Sequence, residues 1–221
     1  MGFVIMSGVG SKVTVPRTGT PLSTFAEGSL IKINELSSPV EFYVAKHNYE
    51  SELNGNGRTL VVRKDCYDIR QWHSSNINAY AFSTIDGWLN SVYKHLLDAD
   101  IRRGIGNTKI KYTPGNGNST VGTLERAIFL LSGTELGKTS SYTNTEGTAL
   151  EIASSLQIAY MNGSAVGQWT RSPLTISING AVYLGTDGGF DSDSCTITVG
   201  SRPCFTLPSN IKIDDSGLVV A

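Results

Sequence analysis

The stretch QWTRSPLTISINGAVYLG, residues 168–185, decides how this chain is interpreted. It begins with Trp169 and Arg171 in a proline-containing corner and continues into two short runs in which apolar and polar residues alternate. Alternation with a period of two is typical of half-buried β-strands. A second Arg–Pro pair, Arg202–Pro203, precedes another alternating run. We therefore predict that two arginine-containing corners flank a small antiparallel C-terminal sheet.

These corners allow two interpretations. Arg171 has the planar, bidentate geometry that suits a carboxylate or phosphate ligand. In the structural interpretation, which we favour, Trp169 packs in the core. Arg171 and Arg202 then brace the ends of the sheet by pairing with carboxylates or backbone carbonyl groups.

The composition is that of a folded domain. The 221 residues carry 18 basic and 19 acidic side chains, and 39% of them are apolar. The near-neutral charge argues against nucleic acid as a partner, because phosphate binding needs a basic surface. No apolar run approaches the roughly 18 residues that cross a bilayer, so we expect no membrane partner. We expect Cys66, Cys195 and Cys204 to be buried reduced thiols, with a Cys195–Cys204 bridge as the alternative.

The chain divides into an arm and a domain. Residues 1–24 hold short apolar runs separated by Gly and Pro, so we predict an extended N-terminal arm that becomes ordered on a partner. The domain is expected to cover residues 25–221. Residues 84–97 carry an apolar stripe at helical spacing, and Asp98 is placed to start a second short helix. Apolar residues recur over 30–33 and alternate over 40–44, with a turn sequence at 37–39, so we also predict a hairpin near the start of the domain. With short strands elsewhere, the pattern predicts an α+β domain with about two helices.

Several segments together carry a family resemblance. In chain order they are SVYKHLLDADIRRGI (91–105), IFLLSGTELG (128–137), AYMNGSAVGQWTRSP (159–173), ING…YLG (178–185) and VGSRPCFTLPSN (199–210). This combination resembles a family of domains of uncharacterised function that is common in phage and prophage proteins and in surface proteins of Firmicutes and gut bacteria. The ending W-x-R-S…G-x-R-P is also similar to the C-type lectin-like fold of formylglycine-generating enzymes and phage tropism determinants. The resemblance covers residues 27–213.

The resemblance implies a C-type lectin-like α+β domain in which a small sheet and two helices support a ligand surface made of loops. The segment between the two arginine corners lies on that surface. The WND calcium motif of C-type lectins is absent, so calcium-dependent sugar binding is not implied. The candidate ligand or partner contacts in this segment are Tyr183, Asp187, Phe190, Asp191 and Asp193.

The sequence contains no recognisable catalytic or metal-binding constellation. His47, His73 and His95 are scattered, and no GxSxG, HExxH or phosphate-binding loop occurs. The acidic loop around Asp191 does not match the EF-hand pattern. We therefore expect no catalytic residue, no metal and no cofactor.

These observations lead to two functional hypotheses. The first is a non-enzymatic phage virion structural protein, a tail, fibre or decoration component that is made in the host cytoplasm and assembled into the virion. It would form a homo-oligomer and contact other virion proteins through the arm. The alternative is a binding module that recognises a host-surface glycan or protein.

Overall fold

The structure is a computed structural model that describes residues 18–220. It is mostly β, with 39% strand and 16% helix, and it consists of several small sheets and about four short helices. The prediction of an α+β, C-type lectin-like domain with about two helices is therefore wrong. Only one segment sustains a helical apolar stripe, whereas most of the buried residues lie in strands. Helices of four to six residues form here because they pack on the sheets, since such short helices are marginal alone.

Short strands dominate the described residues. The strands in chain order are β1 (Thr20–Pro21), β2 (Leu30–Glu35), β3 (Ser38–His47), β4 (Arg58–Arg63), β5 (Asp68–Gln71), β6 (Thr108–Tyr112), β7 (Gly122–Arg126), β8 (Ile128–Phe129), β9 (Ala159–Met161), β10 (Ser164–Val166), β11 (Gln168–Pro173), β12 (Gly180–Leu184), β13 (Phe190–Ser194), β14 (Thr198–Ser201), β15 (Cys204–Pro208), β16 (Lys212–Ile213) and β17 (Val219–Val220).

The helices connect these strands. They are α1 (Ser51–Asn54), α2 (residues 84–96), α3 (Ala99–Gly104) and α4 (Ala153–Leu156), and 3-10 turns occur at Leu22–Thr24 and Tyr80–Phe82. The helix predicted over 84–97 is confirmed as α2. Its middle turn, Leu89–Tyr93, has π-helical hydrogen bonding, with α-helical turns on either side.

The first sheet has the strand order β2-β3-β4-β15-β8, and all of its neighbouring strands are antiparallel. The predicted N-terminal hairpin is confirmed as β2–β3. Alternate residues on these strands, such as Ile31 and Phe42, are fully buried, whereas Leu30 is exposed. The connecting residues Leu36 and Ser37 both have positive φ, as a two-residue type I′ turn requires.

The second sheet has the order β13-β12-β11-β14-β5, and one pair, β11 with β14, is parallel. The position of β11, the first of the C-terminal strands in chain order, differs from the prediction. The corner Gln168–Pro173 is itself the strand β11, and the alternating residues 174–179 form a loop in which Ile176 is exposed. The buried amide of Asn78 holds this loop by donating to carbonyl oxygens at Leu174, Ser177 and Gly180, at 2.8–2.9 Å. A side chain distant in sequence therefore overrides the local alternation.

A third, small sheet has the order β1-β16-β17 and includes the end of the predicted arm. Thr20 pairs with Ile213, and Leu22 is fully buried. Gly19 allows this close approach, because a Cβ there would lie 2.6 Å from the carbonyl oxygen of Ile213. Residues 18–24 of the predicted arm thus contact the domain, and residues 1–17 lie outside the described residues.

The two larger sheets contribute to one hydrophobic core. Phe42 of β3 and Phe205 of β15 meet edge to face, with ring centroids 5.5 Å apart. The backbone N–H of Arg171 on β11 donates to the carbonyl of Leu131, just after β8, at 2.9 Å. Two further hairpins, β6–β7 and β9–β10, complete the fold. Within residues 18–220, no helix combines the length and apolarity needed to cross a bilayer.

Candidate functional site

The strand β11 is buried along its whole length, and it carries both Trp169 and Arg171. Its pairing with β12 is interrupted between Trp169 and Pro173, where the register shifts. Such an irregularity turns the strand locally and redirects its side chains. The arginine of the predicted corner consequently lies inside the protein, and its side chain has no exposed surface.

Arg171 is the centre of a buried polar network. Its guanidinium forms a bidentate ion pair with Glu135, with N–O distances of 2.6 and 3.0 Å. It also donates to the backbone carbonyls of Lys111 and Leu130. Burial alone lowers the pKa of an arginine, but the adjacent Glu135 outweighs this effect and keeps the pKa of Arg171 well above its usual value. The hydroxyl of Tyr49 donates to the same carboxylate.

Glu146 is the second acidic residue of this network. Its carboxylate accepts hydrogen bonds from the backbone N–H of Thr113 and from the hydroxyl of Ser172. Burial raises the pKa of Glu146, although the nearby Arg171 opposes the shift. The network therefore provides a hydrogen-bond partner for each of its buried side chains, which is what makes such a polar interior tolerable.

Arg202 is also buried, but its partners differ. Its guanidinium donates to three backbone carbonyls, those of Arg63, Lys64 and Leu156, at 2.5–2.8 Å. Gln168 is a more distant side-chain acceptor at 3.3 Å. Burial lowers the pKa of Arg202. Neither this arginine nor Arg171 is accessible to an external ligand. The role of Arg171 as a brace is tested by the substitution proposed below.

Trp169 packs against Tyr183, a candidate contact residue that lines a surface groove. Its indole N–H donates to the carbonyl of Arg70 at 2.9 Å. Its ring meets that of Tyr183 edge to face, with centroids 5.6 Å apart. Trp169 is 2% exposed, whereas Tyr183 is partly exposed. The buried indole thus fixes the position of the tyrosine ring at the surface.

A groove with a volume of about 530 Å³ opens beside Tyr183, and we call it the Tyr183 groove. It lies between the second sheet and the β9–β10 hairpin, and none of its lining residues is charged. They are Ile69, Ala165, Val166, Gly167, Tyr183, Gly185, Thr186, Ile197, Thr198, Val199 and Gly200. The groove therefore offers apolar surface, one aromatic ring and threonine hydroxyls to a neutral ligand.

Asp191 and Asp193 lie on β13, which is an edge strand of the second sheet. Asp191 pairs with Tyr183 across the β12–β13 ladder, and the tyrosine hydroxyl donates to its carboxylate at 2.9 Å. The two carboxylates also accept from the backbone N–H groups of Ser192 and Ser194, at 2.7 and 2.6 Å. The aspartates thus occupy donors that an edge strand would otherwise present to another chain.

The other two candidate contacts have separate local roles. Asp187 accepts a hydrogen bond from the N–H of Gly189 and so stabilises the β12–β13 turn. Phe190 packs over Gly133, where its ring comes within 2.9 Å of the position that a Cβ would occupy. Phe190 is therefore tied to the protein interior, and the structure does not bring it together with Tyr183 in one contact surface.

No group of three His, Cys, Asp or Glu side chains in residues 18–220 is arranged to hold a metal ion. Cys66, Cys195 and Cys204 are buried free thiols, so the alternative of a Cys195–Cys204 bridge is absent from this structure. Burial raises the pKa of Cys66 and of Cys195 to about 12. Thiols in this state are poor nucleophiles and poor metal ligands at neutral pH.

Sequence reasoning missed the acidic half of the buried network. Glu135 lies a few residues after the apolar run AIFLL, and Glu146 lies in the polar stretch 139–149, whose composition is typical of a surface loop. The available signal was Glu135 itself, because a carboxylate next to a buried strand requires a cation. No local pattern identifies Arg171 as that cation, since it is distant in the sequence.

The fold and these sites define a β-rich domain with a buried ion-pair network and an uncharged surface groove. The family model described as a domain of unknown function (DUF6273) matches residues 56–209, which is more than half of the chain. The chain therefore belongs to this family. The hairpin β2–β3 precedes the matched region and adds two strands to the first sheet. No curated protein and no solved structure matches the chain.

Proposed function

We propose that the chain is a non-enzymatic binding module that takes a neutral, hydroxyl-rich ligand, a glycan, in the Tyr183 groove. The observation that carries this proposal is the groove itself, in which an aromatic ring borders a wall without charged side chains. Ligand sites of this kind combine apolar contact with a few oriented polar groups.

The groove contains both kinds of contact that a sugar ring needs. A tyrosine has an apolar ring and a polar tip, so it can pack against sugar C–H groups while its hydroxyl takes part in hydrogen bonds. Because the Tyr183 hydroxyl donates to Asp191, its oxygen remains an acceptor for a sugar hydroxyl, and Thr186 and Thr198 line the same groove. Because Trp169 and Asp191 already hold the tyrosine, little side-chain entropy would be lost on binding.

Glycan-array screening followed by calorimetry of the best ligand tests this proposal. We expect saturable binding that Tyr183→Ala weakens at least about tenfold, as loss of an aromatic anchor typically does. Tyr142→Ala is the matched control, because Tyr142 is 53% exposed and does not line the groove. Absence of glycan binding, or equal affinities of wild type and Tyr183→Ala, would refute the proposal.

We further propose, on the segments that resemble phage and prophage proteins, that the module is displayed on a virion as a homo-oligomeric tail, fibre or decoration component. Thr18 and Thr20 are exposed, so the chain enters the domain at its surface. Deletion of residues 1–17 should leave a folded monomer that no longer assembles, as measured by circular dichroism and native mass. Unchanged assembly of the truncated chain would exclude the arm as the assembly segment.

A further inference from the structure

A second cavity, of about 360 Å³, lies at the outer end of the buried network, and we call it the Glu50 cavity. It shares no lining residue with the Tyr183 groove. Its lining is polar and carries both signs of charge. It consists of Lys46, Asn48, Tyr49, Glu50, Ser51, Glu52, Lys111, Thr148, Ala149, Leu150 and Glu151. Tyr49 connects the cavity to the network, because its hydroxyl donates to Glu135.

The Glu50 carboxylate lacks the partners that buried carboxylates normally have. Its side chain is only 10% exposed, yet no hydrogen bond reaches it from residues 18–220. The nearest cation is Lys111, whose Nζ lies 3.7 Å from Oε2. Burial raises the pKa of Glu50, and the neighbouring Lys111 only partly opposes this shift. Glu50 is not among the fully buried unsatisfied groups, so water reaches its carboxylate. A charged donor that enters the cavity would replace a water hydrogen bond by a stronger, charge-assisted one.

Oε1 of Glu50 lies close to the backbone of Gly147. Gly147 has a φ of +91°, and a Cβ on it would lie 2.9 Å from Oε1 of Glu50 and 3.2 Å from Oε1 of Glu135. These distances leave no room for a side chain at position 147, and the glycine lets the two carboxylates approach each other. Both glutamates therefore contribute negative potential near Gly147, although the ion pair with Arg171 offsets the contribution of Glu135.

The charges of the lining favour a cation. Three glutamates and two lysines line the cavity. One of the lysines, Lys46, bonds to Glu151 and also to a further glutamate outside the lining, Glu27. A metal ion would need several converging oxygen ligands, and the described residues contain no such group. An organic cation of modest size matches both the charge and the volume.

We propose that the Glu50 cavity binds a primary alkylammonium group, with Oε1 of Glu50 as its acceptor. An ammonium suits this single oxygen better than a guanidinium does, because a guanidinium needs both oxygens of a carboxylate and Oε2 faces Lys111. Two further hydroxyls in the lining, those of Ser51 and Thr148, are acceptors for the remaining ammonium hydrogens. A lysine side chain and an amino sugar both carry this group.

An NMR titration of the whole chain with n-butylammonium chloride tests the proposal. We expect saturable shifts of the backbone amides of residues 49–52 and 148–151, and no saturable shifts with the neutral isostere 1-butanol. Glu50→Gln should weaken binding by about tenfold or more, because it removes a charge-assisted hydrogen bond. Glu125→Gln is the matched control: it removes the same charge from an exposed strand residue outside the cavity, and we expect the affinity of wild type.

A second variant keeps the test decisive if Glu50→Gln fails to fold. Lys111→Met removes the cation that competes for Glu50, and we expect it to tighten butylammonium binding by a few-fold. Titrations with Nα-acetyl-lysinamide and with glucosamine then distinguish the two sources of the ammonium by their relative affinities. The proposal is overturned if butylammonium causes no saturable shifts at the cavity, or if Glu50→Gln binds it as wild type does.

Discussion

The acidic residues of the Arg171 network and those of the β12–β13 turn have similar chemistry and opposite surroundings. Glu135 is buried, and its cation lies 36 residues away in the sequence. Asp187 and Asp191 are exposed, and each accepts a hydrogen bond from a backbone N–H one or two residues away. Hydrogen bonds between residues close in sequence can form in almost any fold, whereas those between distant residues form only after the chain has folded. We therefore expect the first group to govern stability and the second to govern association and binding.

The largest effect is expected at the centre of the buried network. Arg171→Met should lower the free energy of unfolding by about 3–5 kcal/mol, because it leaves the buried Glu135 carboxylate without its cation. Urea denaturation measures this loss. Arg103→Met is the control, since that arginine side chain is 74% exposed and its ion pair with Asp100 should contribute less than about 1 kcal/mol. A similar, small effect of both substitutions would mean that the buried pair does not brace the fold.

A comparable test addresses the predicted role of Trp169 in the core. Trp169→Ala should cost about 3–5 kcal/mol, because it removes a large side chain that is 2% exposed and deletes the hydrogen bond to Arg70. Tyr183→Ala should cost clearly less, since part of that ring already faces water. Thermal denaturation of the two variants provides the comparison. A Trp169→Ala protein with an unchanged Tm and lost ligand binding would place Trp169 in the ligand site instead.

A smaller effect is expected in the dependence of stability on pH. Burial raises the pKa of Asp86 from its usual 3.8 to about 6, against the lowering effect of its ion pair with Arg126. The folded state then holds this proton to a higher pH than the unfolded state does. The Asp86 contribution should consequently fall by about 1–3 kcal/mol as the pH rises from about 4 to about 6.

Urea denaturation of wild type and Asp86→Asn between pH 4 and 7 isolates this contribution. We expect the free energy of unfolding of wild type, relative to that of the variant, to decrease from about pH 4 to about pH 6 and to level off above that. Parallel curves for the two proteins would show that Asp86 does not titrate as its buried position predicts.

The smallest effect on stability is expected at the exposed edge strand. Replacing Asp191 and Asp193 together by Val should change the free energy of unfolding by less than about 1 kcal/mol. It should, however, free the N–H groups of Ser192 and Ser194 on an edge with high β propensity, and so promote self-association. Sedimentation velocity over a range of concentrations measures this. Asp215→Val, at an exposed turn, is the control. A double variant that self-associates no more than wild type would contradict the protective role.

Local patterns were enough for two elements of the fold. The helical spacing of 84–97 predicted α2, and the alternation over 30–47 predicted the β2–β3 hairpin. Local alternation was misleading at residues 174–179, where the buried amide of Asn78 holds the backbone as a loop. Among the candidate site residues, the position of Tyr183 beside a groove depends on its packing against Trp169, which no local pattern reveals.

The sequence by itself determined the balanced charge, the strongest helix and the buried thiols, because these follow from composition and from contacts a few residues apart. It did not determine the mostly β fold class, since the predicted class was α+β. Only the tertiary structure decided that Arg171 meets Glu135, that Phe190 faces Gly133 rather than Tyr183, and that Glu50 lines a cavity. Each of these depends on segments that are distant in the chain. The free energy of burying a charge or a ring depends on what the rest of the fold places around it.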